Sequence, residues 1–160
     1  MDRRSFVRTA LGVSAAALVA PRLAAQQPAR QQKAALPVMT VYKSASCGCC
    51  HLWVEHAQAN GFTVKTIDTE ALPSVKAELG VPARLQSCHT VVVGNYLVEG
   101  HVPAADVKRM LAEKPAIRGI AVPGMPIGSP GMEQGDTVEP YDVLAFNAAG
   151  ETQVFARHGR

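Results

Sequence analysis

Three cysteines within four positions, Cys47-Gly48-Cys49-Cys50, stand where a short β-rich run gives way to a helix, and this junction constrains the fold more than any other stretch. The run before it, Val38 to Ser44, reads as a strand. The body after it, "CCHLWVEHAQAN", reads as a helix capped at Ser46 or a neighbour and stopped by Gly61 at the C′ position. The thiols are therefore set at a helix N-terminus, beside the end of a strand.

"FTVKTID", residues 62–68, follows as a second strand, and "ALPSVKAELG", residues 71–80, as a second helix with Pro73 near its start and Gly80 at its end. Residues 89–102 read as two strands turning at Gly94-Asn95, with the unbroken run Val91-Val92-Val93 suited to a central strand. Pro103 opens a third helix, in which Val107, Met110 and Leu111 recur at helical spacing. The order β-α-β-α-β-β-α, with Cys-x-x-Cys after the first strand, is the layout of a thioredoxin-like α/β fold: a mixed sheet flanked by helices.

After Lys114 the chain becomes dense in Pro and Gly, yet Ile117, Ile120, Val122, Met125, Ile127 and Met132 are too apolar for a solvated linker. Residues 115–140 are expected to be an ordered Pro/Gly/Met loop lying on the domain. Residues 141–158 then read as a closing β-hairpin turning at Ala148-Ala149-Gly150.

Residues 1–25 have the form of an export signal: a charged start, an apolar stretch from Ala10 to Ala20, and small residues near Leu23-Ala24-Ala25 for cleavage. Arg3-Arg4 followed by Ser5, Phe6 and Val7 resembles a twin-arginine signal. The apolar stretch is about half the roughly 20 residues that a bilayer span requires, so no membrane span is expected after cleavage. A periplasmic or otherwise exported location follows, with residues 26–37 as a flexible tether and 38–160 as the domain. Removing the signal's four arginines and Asp2 lowers 16 basic and 13 acidic residues to 12 of each. A neutral domain with 5% aromatic residues has no footprint for nucleic acid.

In an oxidising compartment the four cysteines, Cys47, Cys49, Cys50 and Cys88, require a partner. Cys47 and Cys50 have the spacing of a redox dithiol, and a helix N-terminus favours their thiolates; this is the thiol-disulfide oxidoreductase reading. Cys49 in the same turn would compete for mixed disulfides. Three thiolates converging at a helix end suit a soft cation, Cu(I) first and zinc second. Cys88 precedes the 89–93 strand, whose entrance in this layout passes the helix start, so a fourth sulfur is within reach. Two structural disulfides are the remaining reading, although a Cys47–Cys50 bridge closes too small a loop to add much stability.

Met125 and Met132 would present thioethers from the Pro/Gly frame, against hydrophobic packing as their plain role. His51 and His89 each adjoin a cysteine, but neighbouring side chains diverge on a helix or strand. Of these two, His89 is retained as an additional ligand. His101 would face the same end of the sheet. His56 is expected on the helix body, and His158 in a frayed terminus.

The segments "CGCC", "SCHTVVVGNYLVEGHVPA" and "GIAVPGMPIGSPGME" together resemble the CopG-type copper-resistance family of exported bacterial metal-binding proteins, over residues 38 to about 157. The resemblance implies a thioredoxin-like fold, a periplasmic location and Cu(I) held by Cys47, Cys49, Cys50 and Cys88. Copper ions are then the primary partner, with other exported copper-handling or redox proteins beside them. Sequestration and Cu(I)/Cu(II) interconversion both fit this set, as do metal binding without turnover and a copper or thiol oxidoreductase.

Overall fold

The computed structural model describes residues 35–159; the expected export signal, residues 1–25, and the tether as far as residue 34 lie outside the described residues. The chain runs β1 (Met39–Lys43), α1 (Gly48–Ala59), β2 (Val64–Asp68), α2 (Leu72–Leu79), a short 3-10 turn (Ala83–Leu85), β3 (Thr90–Val93), β4 (Tyr96–Glu99), α3 (Ala104–Glu113), β5 (Gly119–Ala121), β6 (Tyr141–Phe146) and β7 (Thr152–His158). Among the described residues, no helix is long and apolar enough to cross a membrane.

All seven strands join one mixed sheet in the order β2-β1-β3-β4-β5-β6-β7. β1 pairs parallel with β2 and antiparallel with β3, and β3 pairs antiparallel with β4. This four-strand unit is the thioredoxin-like core expected from the element order. Its third helix, α3, crosses from β4 to the parallel strand β5, and β6 and β7 extend the sheet antiparallel.

The two sheet faces follow the period-2 alternation of strand side chains. Val91, Val93, Val98, Ile120 and Val143 pack with Trp53, Val54 and Ala57 of α1 and Val107 and Met110 of α3. Val92, Leu97, Ala121, Leu144 and Phe146 point the other way, against Leu79, Val81 and Leu85. Each fully buried large side chain in these layers contributes about 1.5–3 kcal/mol of transfer free energy. Trp53 is fully buried, and its indole N–H donates to the Val102 carbonyl at 2.9 Å, tying α1 to the end of the β4 connection.

The structure corrects one local expectation and sharpens another. Residues 119–121, expected within a loop, form β5 in the interior of the sheet. Three residues are too short to display a period, and Gly119 hides the signal further. A Cβ there would fall 2.2 Å from the Leu97 carbonyl oxygen, so the close strand approach requires glycine. The N-cap of α1 is Cys47, the neighbour of Ser46; it has an extended backbone and no side-chain capping bond. The Ser46 amide instead bonds the Ser44 hydroxyl.

Candidate metal centre

α1 starts immediately after the turn that leaves β1, and its first turn contains no acidic residue. Its unpaired amides and positive dipole end therefore face the cysteine sulfurs without a carboxylate competing for them. Cys47 and Cys50 are joined as a disulfide, whereas Cys49 and Cys88 are free thiols. Cys49 Sγ lies 3.5 Å from Cys47 Sγ and 3.9 Å from Cys88 Sγ. All four sulfurs lie within 4.8 Å of one another, so the turn and the β3 entrance do converge.

Cys88 is held from both sides. Its predecessor's amide, Ser87 N–H, donates to Glu99 Oε1 at 2.7 Å. Glu99 is fully buried, receives Lys76 Nζ at 2.5 Å on the same oxygen, and accepts the Thr90 hydroxyl at 2.6 Å on the other. Burial pushes the Glu99 carboxyl above its ordinary value, against the opposing pull of Lys76 and the hydrogen bonds. Burial, and then the nearness of Cys49, pushes the Cys88 thiol up to about 12. Without a cation, Cys88 is therefore protonated at neutral pH.

Two histidines border that thiol. His101 Nε2 lies 2.8 Å from Cys88 Sγ, and its Nδ1 donates to the Pro130 carbonyl at 2.8 Å. His89 Nδ1 lies 3.4 Å from the same sulfur, and its fully buried Nε2 has no hydrogen-bond partner. Burial lowers the affinity of both rings for a proton, most strongly for His89, which keeps them neutral. Cys88, His89 and His101 form a second compact donor group within 4.8 Å.

The Pro/Gly/Met loop closes over this end of the sheet. Gly131, at φ +85°, presses on the first turn of α1; a Cβ there would lie 2.7 Å from the Cys49 carbonyl oxygen and 2.9 Å from the Trp53 amide nitrogen. Met132 follows directly and is half-buried, whereas Met125 is 52% exposed. His51 turns away, with Nε2 3.2 Å from the Ala45 carbonyl and 3.4 Å from Lys43 Nζ. His56 accepts the Ala104 amide N–H, which ties α1 to α3. His158 is not frayed: it stacks on Tyr141 and places Nε2 2.7 Å from Asp106 Oδ2.

His101 faces the cysteine end of the sheet, as expected, and its approach to Cys88 follows from the hairpin register. The two-residue turn pairs Val93 with Tyr96 and Thr90 with Glu99, and the same register continued outward sets residue 88 opposite 101. That register was the available signal.

A family described as a protein of unknown function, DUF411, matches residues 85–132, which span the Cys88–His89 corner, the β3–β4 hairpin, His101 and the loop through Met132. Two solved structures resemble the chain closely, both titled copper resistance protein CopG. Form 2 is 44% identical with a TM-score of 0.74, covering 78% of this chain and 99% of that one. Form 1 is 45% identical with a TM-score of 0.73 and the same coverage, 78% and 99%. Among curated proteins, none matches.

Proposed function

The chain belongs to the CopG-type copper-resistance family, and from that premise we propose that it is an exported copper-handling protein whose reduced four-cysteine cluster holds Cu(I). The observation that carries the reading is the convergence of four sulfurs from two separate chain segments within 4.8 Å. Thiolate sulfur favours monovalent copper over hard cations, and imidazole beside it keeps the set soft to borderline.

The Cys47–Cys50 disulfide defines the oxidised form, in which two of the four donors are withdrawn. Two electrons and two protons restore both thiols, and the reduced form is the one that binds. Each coordinating thiol gives up its proton, and the amides at the start of α1 offset the charge that accumulates. Close sulfur spacing also suits bridging, in which one thiolate serves more than one copper ion. Sequestration for copper resistance follows directly; interconversion of Cu(I) and Cu(II) adds a use for the dithiol–disulfide pair, since one disulfide accepts, with two protons, the two electrons that two Cu(I) ions release, and the dithiol returns them.

Export by a twin-arginine-type signal, cleaved near residue 25, belongs to the same reading. It suits a protein that handles copper outside the cytoplasm. Elemental analysis of protein isolated from its native compartment, with a thiol count on the same sample, tests the proposal. Copper with protected cysteines supports it; zinc alone, or metal-free protein with a redox-active dithiol, overturns it.

A further inference from the structure

The residue that α2 buries is a lysine. Among the described residues of that helix Lys76 alone is buried, and its ammonium crosses to the start of β3 and the end of β4, where it donates to the Thr90 hydroxyl at 2.8 Å and to Glu99 Oε1 at 2.5 Å. Glu99 accepts two further donors, the Ser87 amide N–H at 2.7 Å and the Thr90 hydroxyl at 2.6 Å. One carboxylate therefore gathers α2, β3 and the segment that enters β3.

A buried ion pair contributes little net stability over a well-packed apolar pair of similar volume. What this one supplies is position, because Ser87 is held in three directions at once. Its amide is bound by Glu99, its hydroxyl donates to the Gly124 carbonyl, and its side chain packs on Gly100, where an added Cβ would fall 2.6 Å from it. On the far side of Cys88, the His89 carbonyl accepts the Gly100 N–H at 3.0 Å. The backbone on both sides of Cys88 is thereby fixed, and with it the direction in which the Cys88 side chain leaves the chain.

We propose that Glu99, fastened by Lys76, is a positioning residue that presets Cys88 opposite the cysteine turn of α1 before any metal arrives. In this role neither side chain is a ligand, and the hydrogen bond from the Ser87 amide transmits the effect. The use of that placement for copper rests on the functional reading above, whereas the placement itself rests on the bonds among Lys76, Glu99, Thr90 and Ser87.

Two charge-free pairs in the full chain separate position from charge. Lys76→Met with Glu99→Leu removes the acceptor of the Ser87 amide, and Lys76→Met with Glu99→Gln keeps it; neither leaves an uncompensated buried charge. In a Cys49→Ser background the Cys47–Cys50 disulfide leaves Cys88 as the one free thiol, so its labelling by iodoacetamide at fixed pH reports its placement without metal. The Leu pair is expected to label at least about tenfold faster than the parent, and the Gln pair within about threefold, because an unpaired buried amide must move to find a partner. With Cys49 restored and the protein reduced, Cu(I) affinity should fall by a similar factor in the Leu pair and recover in the Gln pair.

Equal labelling of the two pairs, or a Gln pair that labels as fast as the Leu pair, overturns the proposal. If the Leu pair misfolds, hydrogen exchange of the Ser87 amide in the unmodified, metal-free protein decides alone: protection matching that of the β3 amides supports the clamp, and exchange at the rate of an exposed loop contradicts it. Absent Cu(I) binding by the unmodified protein would instead count against the functional reading, and the labelling and exchange results would stand apart from it.

Discussion

Gly131 and Cys49 meet backbone to backbone: the loop glycine lies so near the first turn of α1 that a Cβ would come within 2.7 Å of the Cys49 carbonyl oxygen. The preceding residue, Pro130, supplies the carbonyl that fixes His101. One short loop segment thereby positions both the cysteine turn and the imidazole facing Cys88.

Gly131→Ala is expected to destabilise the fold by about 1–3 kcal/mol, because the methyl group meets backbone and the φ is left-handed. It should also weaken metal binding more than an equally destabilising core change such as Val143→Ala. Thermal denaturation paired with a metal titration of both variants checks this; equal affinities would show that the loop does not position the site.

Lys76→Met leaves the buried Glu99 carboxylate without its counter-charge, at a cost of about 3–5 kcal/mol. The penalty should shrink as the pH falls. Burial already raises the Glu99 pKa, and removing Lys76 raises it further. A carboxyl with a raised folded-state pKa binds its proton more tightly folded than unfolded, so stability is gained as pH falls and lost as pH rises through that folded value. Denaturant melts of both proteins across the acid-to-neutral range check this; a difference independent of pH contradicts it.

The oxidised protein is expected to titrate two thiols under denaturing conditions, Cys49 and Cys88, and the reduced protein all four. Cu(I) affinity should fall at least tenfold on oxidation, since two donors are lost. A thiol reagent count beside a competition assay measures both. Equal affinity in the two states would remove Cys47 and Cys50 from the site.

His51→Ala should leave Cu(I) affinity within about twofold, because that ring faces Ala45 and Lys43 rather than the sulfurs. A larger loss, measured against the same competing chelator, would place His51 among the ligands.

The strand–helix junction and the thioredoxin-like core were legible because their signals are local. Gly61 and Gly80 both adopt the left-handed backbone at helix ends, and Gly94-Asn95 makes the tight hairpin turn. Two features were not legible. His89 reaches the sulfur of its own neighbour because β3 begins only at Thr90, so the alternation of strand side chains does not yet apply to residues 88–89. The seating of Gly131 on α1 joins segments far apart in sequence, and no local pattern encodes it. The pairing of Cys47 with Cys50, by contrast, has the i, i+3 spacing of a redox dithiol and was legible locally.

The most direct test of the copper reading is an anaerobic competition titration of the reduced full chain with Cu(I), beside its Cys88→Ser variant. Tight binding that the substitution weakens at least tenfold is the predicted result, because Cys88 is the sulfur contributed from outside the α1 turn. Micromolar or absent binding by the unmodified protein, or an affinity untouched by the loss of Cys88, would contradict it.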